Sequence, residues 1–156
     1  MVIRKKVGPI RILTRLMLAR FVVLLVALLP VTVCAENLVV VINPDSGVEQ
    51  LSRNDVINIF LGSSCQLPSG ITAQPVDLPP AHPDRAEFYH RLVGKSPAEI
   101  NTYWARQMFS GTTRPPIQTE QFDEALALVN SAAGTVTYME RSKVSGNLKI
   151  VFELLE

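Results

Sequence analysis

"NLVVVINPDSGVEQLSRNDVINIFLG", Asn37 to Gly62, passes from one kind of periodicity to another within a single stretch. "LVVVI" is apolar and mostly β-branched with no polar alternation, and Asn43 and Pro44 stop it. Such a run predicts a strand covered on both faces. "PDSGVEQ" reads as a turn. Ser52 and Asp55 then form an S-x-x-D capping pattern, Val56, Ile59 and Phe60 fall on one helical face, and Gly62 supplies a stop. The spacing predicts a short amphipathic helix over 53–61. A doubly covered strand followed by a helix with one apolar face is the beginning of a layered α/β structure.

The rest of the chain continues the alternation. "ITAQPVDL" reads as a second strand, and from Pro83 the pairs Phe88/Leu92 and Tyr89/Val93 mark a helix ending at Gly94. Ser96, Pro97 and Glu99 make the best helix start in the sequence, with Ile100, Tyr103, Trp104 and Met108 inward and Gly111 as the stop. "TTRPPIQTE" is a proline-broken connector. Thr119 is expected to cap a further helix through about Ser131, with Phe122, Ala125, Leu126 and Val129 inward. "GTVTYM" and "LKIVFELL" read as a third and a fourth strand. Strands alternating with helices point to an α/β sandwich with a largely parallel sheet.

The N-terminus differs from all of this. Arg4, Lys5, Lys6, Arg11, Arg15 and Arg20 precede any acid, and Phe21 to Ala35 is an uncharged run of about 15 residues broken by Pro30. A spanning helix needs roughly 20 residues, so residues 1–35 are read as a secretory signal cut after Ala35 rather than an anchor. The expected mature domain, 36–156, keeps nine of the 15 basic residues and all 14 acidic ones, a net charge of about −5. That balance argues against nucleic acid or an anionic membrane as partner. Cys34 leaves with the signal, so Cys65 has no partner for an internal disulfide and is read as a free thiol.

Catalytic signatures are scarce. His82 and His90 are the only histidines, which excludes a histidine-rich metal site, and no phosphate-binding glycine loop or nucleophile elbow occurs. Neither a catalytic group nor a cofactor is expected. Asp55, Asp84, Glu87, Glu99, Glu120 and Asp123 fall near helix starts, where they complement the helix dipole. One place invites an anion: in "VDLPPAHPDRAEFY" a strand ends at Asp77 and a helix begins near Pro83, flanked by His82 and Arg85. Ligands of parallel α/β sheets bind at such strand-to-helix passages. The plainer reading, which the residues themselves favour, makes His82 a cap, Pro83 the first helical residue and Arg85 a solvated side chain. Asp77 and Asp84 also bring negative charge close to the passage. Tyr89, Tyr103 and Trp104 are expected in the core rather than in a ligand pocket.

Taken together, "VVVINPDSGVEQLSRNDVINIFLG", "QPVDL", "FY", "YW" and "GTVTYM" resemble the periplasmic phosphate-binding proteins of ABC transporters, and especially short exported proteins of that superfamily. The resemblance runs from Leu38 to Met139. It implies a single lobe of a type II periplasmic-binding-protein fold, non-enzymatic, with phosphate or another small oxyanion as ligand. A second subunit, in a homodimer, would complete the cleft that two-lobed relatives form by themselves. An alternative use of the same lobe is a ligand-free interaction or sensory module of the cell envelope, with an envelope protein as its expected partner. The chain departs from the pattern at "PPAHPD", where full-length relatives carry a Ser-Gly-Thr turn, and at Asp77, near which they place an arginine. Backbone N–H groups, His82 and Arg85 remain as the anion contacts.

Overall fold

The computed structural model describes residues 37–154. The expected export signal lies outside them. Five strands, β1 (Leu38–Ile42), β2 (Gln74–Asp77), β3 (Ile117–Gln118), β4 (Thr135–Glu140) and β5 (Lys149–Glu153), form one sheet in the order β3-β2-β4-β1-β5. β2 runs parallel to β3 and to β4, whereas β1 is antiparallel to both β4 and β5. Four strands therefore share one direction and β1 alone is reversed, so the sheet is mostly parallel with its first strand inverted, next to the β5 edge.

Four helices, α1 (Arg53–Phe60), α2 (Pro83–Val93), α3 (Pro97–Ser110) and α4 (Phe122–Ser131), cover the sheet. Right-handed crossovers dictate the sides of α2, α3 and α4. The step from β2 to β3 moves outward along the sheet and the step from β3 to β4 moves back across β2. The helices of the two steps must then lie on opposite faces. Phe60, Phe88, Tyr89, Ile100 and Trp104 of α1, α2 and α3 share one core cluster with Leu38, Val40 and Ile42 of β1. Phe122 and Leu126 of α4 meet Val39, Val41 and Met139 on the other side. β1 is buried along its whole length on both faces, as its unbroken apolar run predicts.

Local chemistry fixes the helix ends. In α1 the Ser52 hydroxyl accepts from the Asp55 N–H at 3.1 Å, while the Asp55 carboxylate accepts from the Ser52 N–H at 2.8 Å. The same reciprocal box joins Ser96 and Glu99 at the start of α3, with Pro97 in the first turn. α4 departs from expectation. Its flanking residue is Gln121, with no side-chain cap, because Thr119 is turned inward to the end of β2. The "RPPIQ" segment is also more than a connector: Ile117 and Gln118 are β3, and Pro115 and Pro116, which lack N–H groups, keep the strand short. Met108, expected inward, is more than half exposed at the end of α3.

Candidate functional site

β2 ends at Asp77, and its chain leaves for α2 on one face of the sheet. β3 ends at Gln118, and its chain leaves for α4 on the other face. Neighbouring parallel strands whose exits diverge in this way leave a crevice at their carboxyl ends. A cleft of about 260 Å³ lies there, lined by Asp77, Arg85, Asn101, Trp104, Met108, Pro115, Pro116 and Gln118.

Asp77 organises its floor. One carboxylate oxygen accepts from the Tyr138 hydroxyl at 2.5 Å, and the other from Arg85 Nε at 2.9 Å and the Tyr89 hydroxyl at 3.2 Å. Its backbone carbonyl accepts from both the N–H and the hydroxyl of Thr119, each at 3.2 Å, which locks the start of the α4 connection to the end of β2. Burial, and then the Asp77 carboxylate itself, push both tyrosine hydroxyls well above the ordinary phenol range. They are held as donors. Phe88 stacks on Tyr138 with ring centroids 3.7 Å apart, so packing sets the aim of the tyrosine.

Arg85 is the residue that the sequence reading placed wrongly. It is not solvated: it is 2% exposed and sits in an ion pair with Asp77. Its position explains this, since residues 85, 88, 89 and 92 fall on one helical face, and that face is the core face of α2. A guanidinium in register with Phe88, Tyr89 and Leu92 signals a buried acceptor. Here that acceptor is the aspartate at the preceding strand end. Nη2 of Arg85 donates to the Asn101 side chain at 3.1 Å, and its Cζ lies 5.4 Å from the Tyr89 ring centroid. Nη1 has no acceptor, and neither has Nε1 of Trp104, although both atoms are shut off from water.

His82 does what the plainer reading assigns it. Its Nδ1 accepts from the Asp84 N–H at 3.2 Å, so it caps α2, with Pro83 in the first turn. Its ring stacks towards Phe122, on the α4 side, and His82 does not line the cleft. The structure thus separates the two residues singled out as anion contacts. Asp84 next to it is pushed up by burial, partly offset by Lys143, whose ammonium stands 3.7 Å away. Asn101, Trp104 and Gln118 went unrecognised as neighbours of the site. They come from α3 and β3, and only the βααβ crossover brings them to Arg85. Cys65 is exposed and free. Among the described residues no group of three or more His, Cys, Asp and Glu could hold a metal ion, and no helix is long and apolar enough to cross a membrane.

No family model matches the sequence, and no curated protein does. Solved structures do match. An ABC-type phosphate transport receptor from Vibrio cholerae superposes with a TM-score of 0.58 at 16% identity, over 74% of this chain and 45% of that one. A putative phosphate ABC transporter substrate-binding protein from Clostridium perfringens, solved with bound phosphate, gives 0.56 at 14% identity, over 74% and 44%. A possible phosphate binding protein from Planctomyces limnophilus gives 0.54 at 16%, over 74% and 40%. The chain spans less than half the length of these three proteins. Its α/β architecture is that of a single lobe of the periplasmic-binding-protein fold found in phosphate-transport substrate-binding proteins.

Proposed function

We propose that this chain is an exported, non-enzymatic solute-binding lobe that takes up a small oxyanion at the crevice beyond β2 and β3. The observation that carries the reading is the unpartnered Nη1 of Arg85, a buried cationic donor beside an open cleft at the carboxyl ends of parallel strands. Buried N–H groups in native proteins nearly always find an acceptor, and a ligand oxygen is a natural one here. The likeness to proteins named as phosphate receptors and substrate-binding proteins supports the choice of ligand class. Arg85 is carried forward as the anion contact. His82, spent on capping, contributes through the position of the helix start. A second copy or an envelope protein would close the cleft from above.

The test is thermal unfolding of protein recovered from cells that express the full-length sequence, with and without millimolar oxyanions. A ligand that binds only the folded state raises the melting temperature, by about 2.7 kcal/mol of added stability at a hundredfold excess over Kd. Arg85→Lys, which keeps the charge but loses the fork, should reduce the shift. If no oxyanion, carboxylates included, moves the transition, the reading fails.

A second reading, a ligand-free interaction module, draws on a different observation. Phe109 is 96% exposed beside the half-exposed Met108, with the exposed Arg106 and Arg114 nearby in sequence. Aromatic, methionine and arginine side chains are the types enriched at protein interfaces. Asp77 already supplies Arg85 with a counter-charge, which suits a lobe that needs no ligand to stay folded.

A further inference from the structure

The charge inventory of the cleft restricts what it can take. Asp77 and Arg85 match one for one, and among the described residues the other six lining side chains, Asn101, Trp104, Met108, Pro115, Pro116 and Gln118, carry no charge. The crevice is therefore neutral before a ligand arrives. An incoming anion meets a single guanidinium whose Nε already serves a carboxylate. Its attraction to Arg85 and its repulsion from Asp77 both scale with the ligand's charge, and the cost of removing that charge from water grows faster, as its square. A doubly charged oxyanion is the poorer guest.

The remaining hydrogen-bonding capacity has a definite form. Two nitrogens lack acceptors, Nη1 of Arg85 and Nε1 of Trp104, on residues 2% and 6% exposed. Asp77 offers little to a ligand that carries protons, because its two oxygens already take three donors. Much of the remaining wall is apolar, the Trp104 ring, Met108, Pro115 and Pro116, with the amides of Asn101 and Gln118 beside it. One shared positive charge and a largely apolar wall suit a singly charged group attached to a short hydrocarbon body. Both nitrogens are shielded from water, so such a group enters with a small displacement of the wall. Met108, unbranched and half exposed, is the residue able to give.

From this we infer that the crevice prefers a small organic monocarboxylate with an apolar tail over doubly charged phosphate or sulfate. The inference rests on the solute-binding reading above and narrows its ligand class. The experiment compares melting shifts in propionate, butyrate and benzoate with those in phosphate and sulfate, at equal ionic strength and mildly alkaline pH, where phosphate is mostly doubly charged. Carboxylates should stabilise the protein and the dianions should do so less or not at all. Trp104→Phe keeps an aromatic ring and deletes the N–H, and should weaken carboxylate binding about tenfold. Asp77→Asn removes the resident negative charge and should narrow or invert the preference. Should either variant fail to fold, the ranking of ligands on the unaltered protein still decides. Larger shifts with phosphate or sulfate than with carboxylates overturn the inference and leave the oxyanion-binding reading standing. If neither class shifts the transition, that reading falls and the inference falls with it.

Discussion

At the scale of single residues, Asp77 links fold and site. Two tyrosines and an arginine, from α2 and β4, end on its carboxylate, and its carbonyl holds Thr119. Removing one donor leaves a buried oxygen unsatisfied, which costs about 1–3 kcal/mol. Tyr138→Phe is therefore expected to lower unfolding free energy by about that much in urea titration, although no packing volume is lost. A change within a few tenths of a kcal/mol would mean that the short hydrogen bond contributes nothing net. This cluster was only half legible beforehand. Asp77 stood out in sequence as a strand end, and the spacing of 85, 88, 89 and 92 could have shown Arg85 to be inward. Nothing local indicates that Tyr138, 61 residues downstream, points at the same carboxylate.

Among the elements, the capped helices and the apolar first strand were readable because their signals are short-range. Ser52–Asp55 and Ser96–Glu99 are complete within four residues, and β1 declares its two covered faces in its own composition. β3 was not readable. It is two residues long, follows two prolines, and is a strand only because β2 lies beside it. The cap expected from Thr119 failed for the same reason, since its hydroxyl is turned inward to donate to the Asp77 carbonyl. The glycine before β4 has a specific requirement. A Cβ on Gly134 would stand 2.1 Å from the Thr72 carbonyl oxygen, and the Gly134 carbonyl accepts the Gln74 N–H at 2.8 Å. Backbone that close cannot swing away like a side chain. Gly134→Ala should destabilise by about 1–3 kcal/mol or more, read as a lower denaturation midpoint. Unchanged stability would show that β2 can shift without loss of its pairing to β4.

For the whole molecule, alternation along the chain was enough to give the layered architecture, while the sheet order and the single reversed strand were not foreseeable from it. Direction in a sheet is settled by partners far apart in sequence. The proposed export makes a separate claim at this scale. Protein recovered from the envelope fraction of expressing cells should begin at Glu36, as read by intact mass. A mass that retains residues 1–35, found with the membrane pellet, would contradict cleavage.

The reversed strand also bears on time. Leu38 pairs with Glu140 and Ile42 with Val136 on one side, and Val39 pairs with Glu153 on the other. The first strand of the domain has no neighbour until the last ones exist. Closing loops of about a hundred residues is slow, because their entropy is lost before any contact compensates it. A chain emerging N-terminus first therefore cannot complete its sheet early. Such a delay would suit the proposed export, in which the polypeptide is threaded through a translocase before it folds.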